Sequence, residues 1–157
     1  MRRGLAIAFA LGLLVSGCGS GSKSENDTTT TTASKADEAA ARFAVRVQAE
    51  LKQGRFAAAW HSLHPAERRV VSAQRLASCY PSGQFPGAVT FRAHNVADVR
   101  WTVPGTQDTT DAKAVSITAT APGQPKQSFE QHVVPIDGRW AWMLSSAYFA
   151  KAKSGSC

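Results

Sequence analysis

The chain has 157 residues, enough for one domain beyond any leader. Lys and Arg number 18 against 11 Asp and Glu, a formal charge of +7. Those charges are scattered, apart from Arg68-Arg69 and the tail residues Lys151 and Lys153. No basic block interleaved with aromatics appears, which argues against nucleic acid as a partner.

The first segment has a charged start (Arg2, Arg3), an apolar run from Leu5 to Val15 and small residues after it. This is the pattern of an export signal. The run is shorter than the roughly 20 apolar residues of a spanning helix, and the residues that should follow a twin-arginine pair are missing. Val15-Ser16-Gly17-Cys18 resembles a bacterial lipobox. That resemblance implies cleavage before Cys18, acylation of Cys18 with palmitate-like chains, and a lipid anchor on the extracytoplasmic face of the cell membrane. Residues 1–17 are then the lipoprotein signal peptide. Arg2 and Arg3 leave with it, so the mature chain is less basic than the whole. Residues 18–34 are the lipidated Cys and a Thr-rich tether. This stretch holds almost no apolar side chain after Cys18, so it cannot bury enough surface to offset chain entropy and is expected to be disordered. Its reach is roughly 20–25 Å.

Residues 35–157 form a single α+β domain. Ser34 with Asp37 makes a capping-box start. Ala36, Ala40, Phe43, Ala44, Val47 and Leu51 follow at helical spacing over about 35–53, with Gly54 as the stop. A second helix spans about 56–63, with Phe56, Trp60 and Leu63 on one face. Pro65 ends it and opens a third through Val71. Ser72 caps another turn reaching Cys79. Beyond Tyr80 the period becomes two. Val89 and Phe91 alternate with polar residues, and so do Val99, Trp101 and Val103, up to Pro104-Gly105. Val115 and Ile117 continue the pattern, and Pro122-Gly123-Gln124-Pro125 is a turn. Gln127 to Ile136 and Arg139 to Leu144 are strands joined by Asp137-Gly138, a two-residue hairpin signal. The expectation is N-terminal helices packed on a curved antiparallel sheet of about four strands.

Phe56, Ala59-Trp60, Leu63-His64-Pro65-Ala66, Val103-Pro104-Gly105, Gly138-Arg139-Trp140 and the late cysteine together resemble actinobacterial lipoproteins with a nuclear transport factor 2-like, or cystatin-like, domain. The resemblance covers about residues 36–157 and implies a cone-like fold with a pocket between helices and sheet. It carries no catalytic residues with it.

With Cys18 assigned to lipid, Cys79 and Cys157 remain. In an oxidising compartment an even pair reads as a disulfide. His61 and His64, with Glu67 nearby, have the residue types of a zinc site. Pro65 interrupts the helix there and no third ligand is well spaced, so no metal is expected. Asp98, His94, His132, Tyr80 and Tyr148 are the candidate acids, bases and donors for a pocket enzyme. Alternation with Val99 sends Asp98 outward. Trp60, Phe91, Trp101, Trp140 and Trp142 are the candidate pocket aromatics.

These observations predict a non-enzymatic, lipid-anchored envelope module without a cofactor. It would bind a small apolar ligand or an envelope protein on a concave sheet face. The alternatives are a small pocket enzyme of isomerase or dehydratase type and a purely structural envelope accessory subunit.

Overall fold

A computed structural model describes residues 34–80 and 87–157, and Thr32–Cys157 form one compact unit. The expected signal peptide, Cys18 and the expected tether up to residue 33 lie outside the described residues. No described helix is long and apolar enough to cross a membrane.

Helix α1 (Lys35–Lys52) begins as its sequence dictates. The Ser34 hydroxyl accepts from the Asp37 N–H at 3.1 Å, and the Asp37 carboxylate accepts from the Ser34 N–H at 3.1 Å. Two orphan donors of the first turn are thereby satisfied. Ala40, Phe43, Ala44, Val47 and Leu51 form its buried stripe. Gly54, with φ +71°, supplies the left-handed residue that ends it.

Three short helices follow: α2 (Phe56–His61), α3 (Pro65–Arg68) and α4 (Ala73–Cys79). The first two are shorter than the periodicity predicts. The chain turns extended between them because the sheet claims it there. Trp142 N–H donates to Ser62 O at 3.0 Å and His64 N–H donates to Trp142 O at 2.8 Å. This isolated bridge at Leu63 covers part of the last strand's edge.

Strands β1 (Thr90–Thr102), β2 (Thr109–Thr120), β3 (Gln127–Ile136) and β4 (Arg139–Trp142) make an antiparallel sheet in the order β1-β2-β3-β4. The fold is therefore α+β, with four strands. Asp137 and Gly138 both take positive φ, 48° and 72°, the conformation a tight hairpin needs. Helix α1 packs across all four strands. A fifth helix, α5 (Ser146–Ser154), was not anticipated, although Ser145 caps its start and Gly155, at φ 73°, ends it.

The register of β1 against β2 slips between Ala93 and Asn95, leaving His94 as the extra residue of a bulge. A one-residue slip sends every later side chain to the opposite face. Phe91, Ala93 and Val96 therefore pack on the helix-side core, while Val99 and Trp101 join a second cluster with Val103, Ala112, Val134, Ala141 and Met143. Asp98 points outward, as alternation with Val99 predicts, with its side chain 86% exposed. It lies on the face of Lys113, whose ammonium reaches Asp98 at 2.8 Å and Asp37 of α1 at 2.7 Å. The Lys113 ammonium, followed by the Ser34 hydroxyl and N–H, holds the Asp37 carboxyl down at about 2.

The helix-side core is built around Leu63, Leu76, Val115, Ile117, Val133, Leu144 and Trp142. Trp142 is fully buried and its indole N–H donates to Ala59 O at 2.7 Å. Cys79 and Cys157 form a disulfide with Cα atoms 4.8 Å apart. It fastens the end of α4 to the segment after α5, and the Arg75 guanidinium adds a hydrogen bond to Lys153 O at 3.0 Å.

Candidate functional site

The larger cavity is a groove of about 1100 Å³ between α1, the α2–α3 corner and the β3–β4 hairpin. Helix α1 contributes Ala39, Arg42, Phe43 and Arg46, which recur three and four residues apart and so share one face. Ala58 and His61 come from α2, and Ser62, Leu63, Pro65 and Arg68 from the corner. Ile136, Asp137, Arg139, Trp140 and Ala141 come from the hairpin. Apolar side chains thus line much of the wall, with four guanidiniums set among them and Asp137 as the one lining carboxylate.

Each arginine is held differently. Arg42 pairs with Glu38 at 3.4 Å and Arg46 with Glu50 at 3.9 Å, both along α1. The Arg46 guanidinium also lies over the Phe43 ring, 5.1 Å from its centroid. The Arg68 guanidinium lies over Trp60 at 5.8 Å, and its buried Nε has no hydrogen-bond partner. A buried N–H left unpaired costs about 1–3 kcal/mol. Arg139 is exposed at the hairpin.

Behind this wall stands Glu67, fully buried. Both its carboxylate oxygens accept from Leu144 N–H, at 3.2 and 3.3 Å. Burial pushes its carboxyl up to about 8, and the single backbone donor opposes that only in part. His64 caps α3 through Nδ1, which accepts from Ala66 N–H at 3.3 Å. Burial, then the charges of Arg69 and Arg68, lower its pKa. Glu67 thus turns inward to β4 while His61 faces the groove, and no metal-holding group of His, Cys, Asp and Glu occurs among the described residues.

A second cavity of about 350 Å³ runs along β3 from Gln127 to His132, closed by Gln48, Tyr80, Trp101, Met143, Ser145 and Tyr148. Several of its polar groups bond one another, while the buried Trp101 indole N–H has no hydrogen-bond partner. Gln48 donates to Gln131 Oε1 at 2.7 Å, and Gln131 donates to Met143 O at 2.8 Å. Tyr80 and Tyr148 stack with ring centroids 5.0 Å apart. Burial, then Tyr148 and Glu67, raise the Tyr80 pKa. The His132 imidazole stacks on Trp101 at 3.5 Å and sits 3.1 Å from Glu130. Burial lowers its pKa, against the pull of Glu130.

The structure brings Tyr80, Tyr148 and His132 to one cavity. It leaves Asp98 in the Lys113 clasp and His94 on the bulge, 3.5 Å from the Thr118 hydroxyl. The five candidate pocket aromatics do not share a site. Trp140 lines the groove and Trp101 the second cavity. Trp142 is core, Phe91 packs on the core from β1, and Trp60 donates its indole N–H to Val71 O at 2.6 Å while its ring supports Arg68. Sequence reasoning missed the arginines. Spread from position 42 to 139, they look scattered until the hairpin folds back against α1. The available signal was the Arg42/Arg46 spacing of four on a helix whose other side is apolar.

No family model, curated protein or solved structure matches this chain.

Proposed function

We propose that this chain is a non-enzymatic, lipid-anchored binding module of the cell envelope, attached to the membrane through Cys18, and that the groove between α1 and the β3–β4 hairpin is its ligand site. The observation that carries the reading is the groove itself. At about 1100 Å³ it is as large as small-molecule sites, roughly 300–1,000 Å³, and its apolar lining and spare donors suit ligand recognition. The lipobox at Val15–Cys18 and the resemblance to nuclear transport factor 2-like lipoproteins support the setting. The envelope-protein partner weighed from the sequence becomes the secondary reading, because a concave groove suits a small ligand better than a protein face.

The test is native mass spectrometry of the full chain extracted from membranes, beside an Ala58→Trp variant. Ala58 is exposed and lines the groove, so the indole would fill the cavity without entering the core. A bound mass present in the parent and lost in the variant supports the reading. A bound mass retained by both places the ligand elsewhere, and bare protein in both removes the support for a resident ligand. Fractionation of Cys18→Ala tests the anchor separately: if that variant stays in the membrane, the lipoprotein reading fails.

A further inference from the structure

Resting on the reading of the groove as a ligand site, we infer that its ligand is an anionic amphipath. A phosphate or carboxylate head would sit among Arg42, Arg46, Arg68 and Arg139, with an alkyl or aryl body along Phe43 and Trp140.

The charge balance sets the sign of the head. Four guanidiniums and one carboxylate line the groove. Glu38 and Glu50 each engage one α1 arginine, at 3.4 and 3.9 Å, and neither lines the cavity. Arg46 meets Glu50 through Nε, which leaves its terminal nitrogens on the other side of the guanidinium. Arg68 lines the groove, although its unpartnered Nε is buried and out of a ligand's reach. Planar guanidiniums with spare N–H groups match the two-oxygen edge of a phosphate or carboxylate. The rings of Phe43 and Trp60 lie against Arg46 and Arg68, which restricts both side chains before any ligand arrives and lowers the ordering cost of binding.

The lining sets the body. Ala39, Phe43, Leu63, Ile136, Trp140 and Ala141 offer no charge and line the same cavity. A bare inorganic ion would leave most of that apolar wall facing water. A neutral apolar ligand would leave the arginines desolvated beside it without an acceptor, which is unfavourable. A head with a tail satisfies both halves of the wall.

The experiment is calorimetric titration of the full chain, in uncharged detergent, with octyl phosphate, octanoate, octyl glucoside, octyltrimethylammonium and inorganic phosphate. Octyl phosphate should bind at least 10-fold tighter than octyl glucoside and at least 30-fold tighter than inorganic phosphate. Its affinity should weaken several-fold as salt is raised, because the exposed part of the attraction is screened. The Arg42→Gln/Arg139→Gln variant alters two exposed side chains, so it should melt like the parent while losing at least 10-fold in affinity for octyl phosphate and nothing for octyl glucoside. If octyl glucoside binds as tightly as octyl phosphate and Ala58→Trp abolishes both, the groove stands as a site and the anionic head is wrong. If inorganic phosphate matches octyl phosphate, the tail is wrong. If no octyl probe binds but Cys18→Ala sediments with vesicles containing an anionic phospholipid and not with neutral ones, the arginines face a bilayer and the soluble-ligand inference is overturned. If no probe and no vesicle binds, the inference and the groove reading fall together.

Discussion

Two cavities among the described residues are built on opposite terms. In the groove, arginines drawn from α1, α3 and β4 face one another across an apolar lining, and Arg68 keeps a donor that no protein atom accepts. Along β3, neutral side chains mostly close on one another: Gln48 to Gln131 to Met143 O, Tyr80 on Tyr148, and Trp101 on His132, with the Trp101 indole N–H left unpaired. A network of neutral groups that bond one another stabilises a fold and leaves little for a ligand, whereas a groove lined by four guanidiniums and one carboxylate holds a surplus of one charge. The difference assigns structure to the β3 cavity and recognition to the groove, and substitutions should separate the two.

The largest effect should come from the disulfide, which lies outside the groove and next to Tyr80 of the β3 cavity in sequence. The Cys79→Ser/Cys157→Ser variant opens a bridge between residues 78 positions apart, and the chain-entropy account puts the cost at about 4–5 kcal/mol. Urea unfolding should show that loss while octyl phosphate affinity at the groove stays within about 2-fold in the folded protein, a change of about 0.4 kcal/mol. A matching collapse of affinity would mean that the two regions are one unit.

Glu67 lies behind the groove wall and bonds Leu144, between the two regions, so its titration should touch stability and spare recognition. Its carboxyl is held at about 8 when folded, above the ordinary 4.5. The folded state thus binds the proton more tightly than the unfolded state. The stabilisation is complete below pH 4.5 and is lost as pH rises through about 8. At roughly 1.4 kcal/mol per pH unit the loss is about 5 kcal/mol in order of magnitude. Chemical unfolding from pH 4 to 9 should show this decline in the parent and a flatter profile in Glu67→Gln, whose side chain still accepts from Leu144. Equal profiles would remove Glu67 as the cause.

Gln131→Ala removes the centre of the glutamine chain and leaves Met143 O and the Gln48 amide without those partners. It should cost about 1–3 kcal/mol in thermal or urea unfolding. The smallest effect belongs to the groove. Arg42 is highly exposed and its pair with Glu38 is an i,i+4 surface bridge, so Arg42→Ala should change unfolding free energy by no more than about 0.5 kcal/mol. A loss as large as that of Gln131→Ala would recast the arginines as structural.

Much of the fold was legible because short-range chemistry fixes it. Ser34 and Asp37 cap α1, Gly54 ends it, and Asp137-Gly138 turns the last hairpin, each a signal contained within a few residues. Helix α5 carried comparable marks in Ser145 and Gly155, but its weakly periodic sequence hid them. The two faces of β1 were not legible, since nothing in Ala93-His94-Asn95 announces a bulge. The candidate site was less legible still. Aromatics drew attention as pocket residues, yet burial and pairing distributed them among core, groove and support. The arginines meet only through contacts between α1, α3 and β4, a juxtaposition that no local pattern encodes.

The bulge at His94 acts on the strand as a frameshift acts on a message. Ahead of it, odd-numbered positions such as Phe91 and Ala93 serve the helices; beyond it, Val99 and Trp101 serve the other cluster, so one strand spells two cores in two frames. Replacing the His94 side chain alters a letter at an exposed position. Deleting the residue restores a single frame and misreads one core or the other. The spacing of this strand is thus more tightly constrained than its composition, and related chains should vary freely in what stands at 94 but not in whether something stands there.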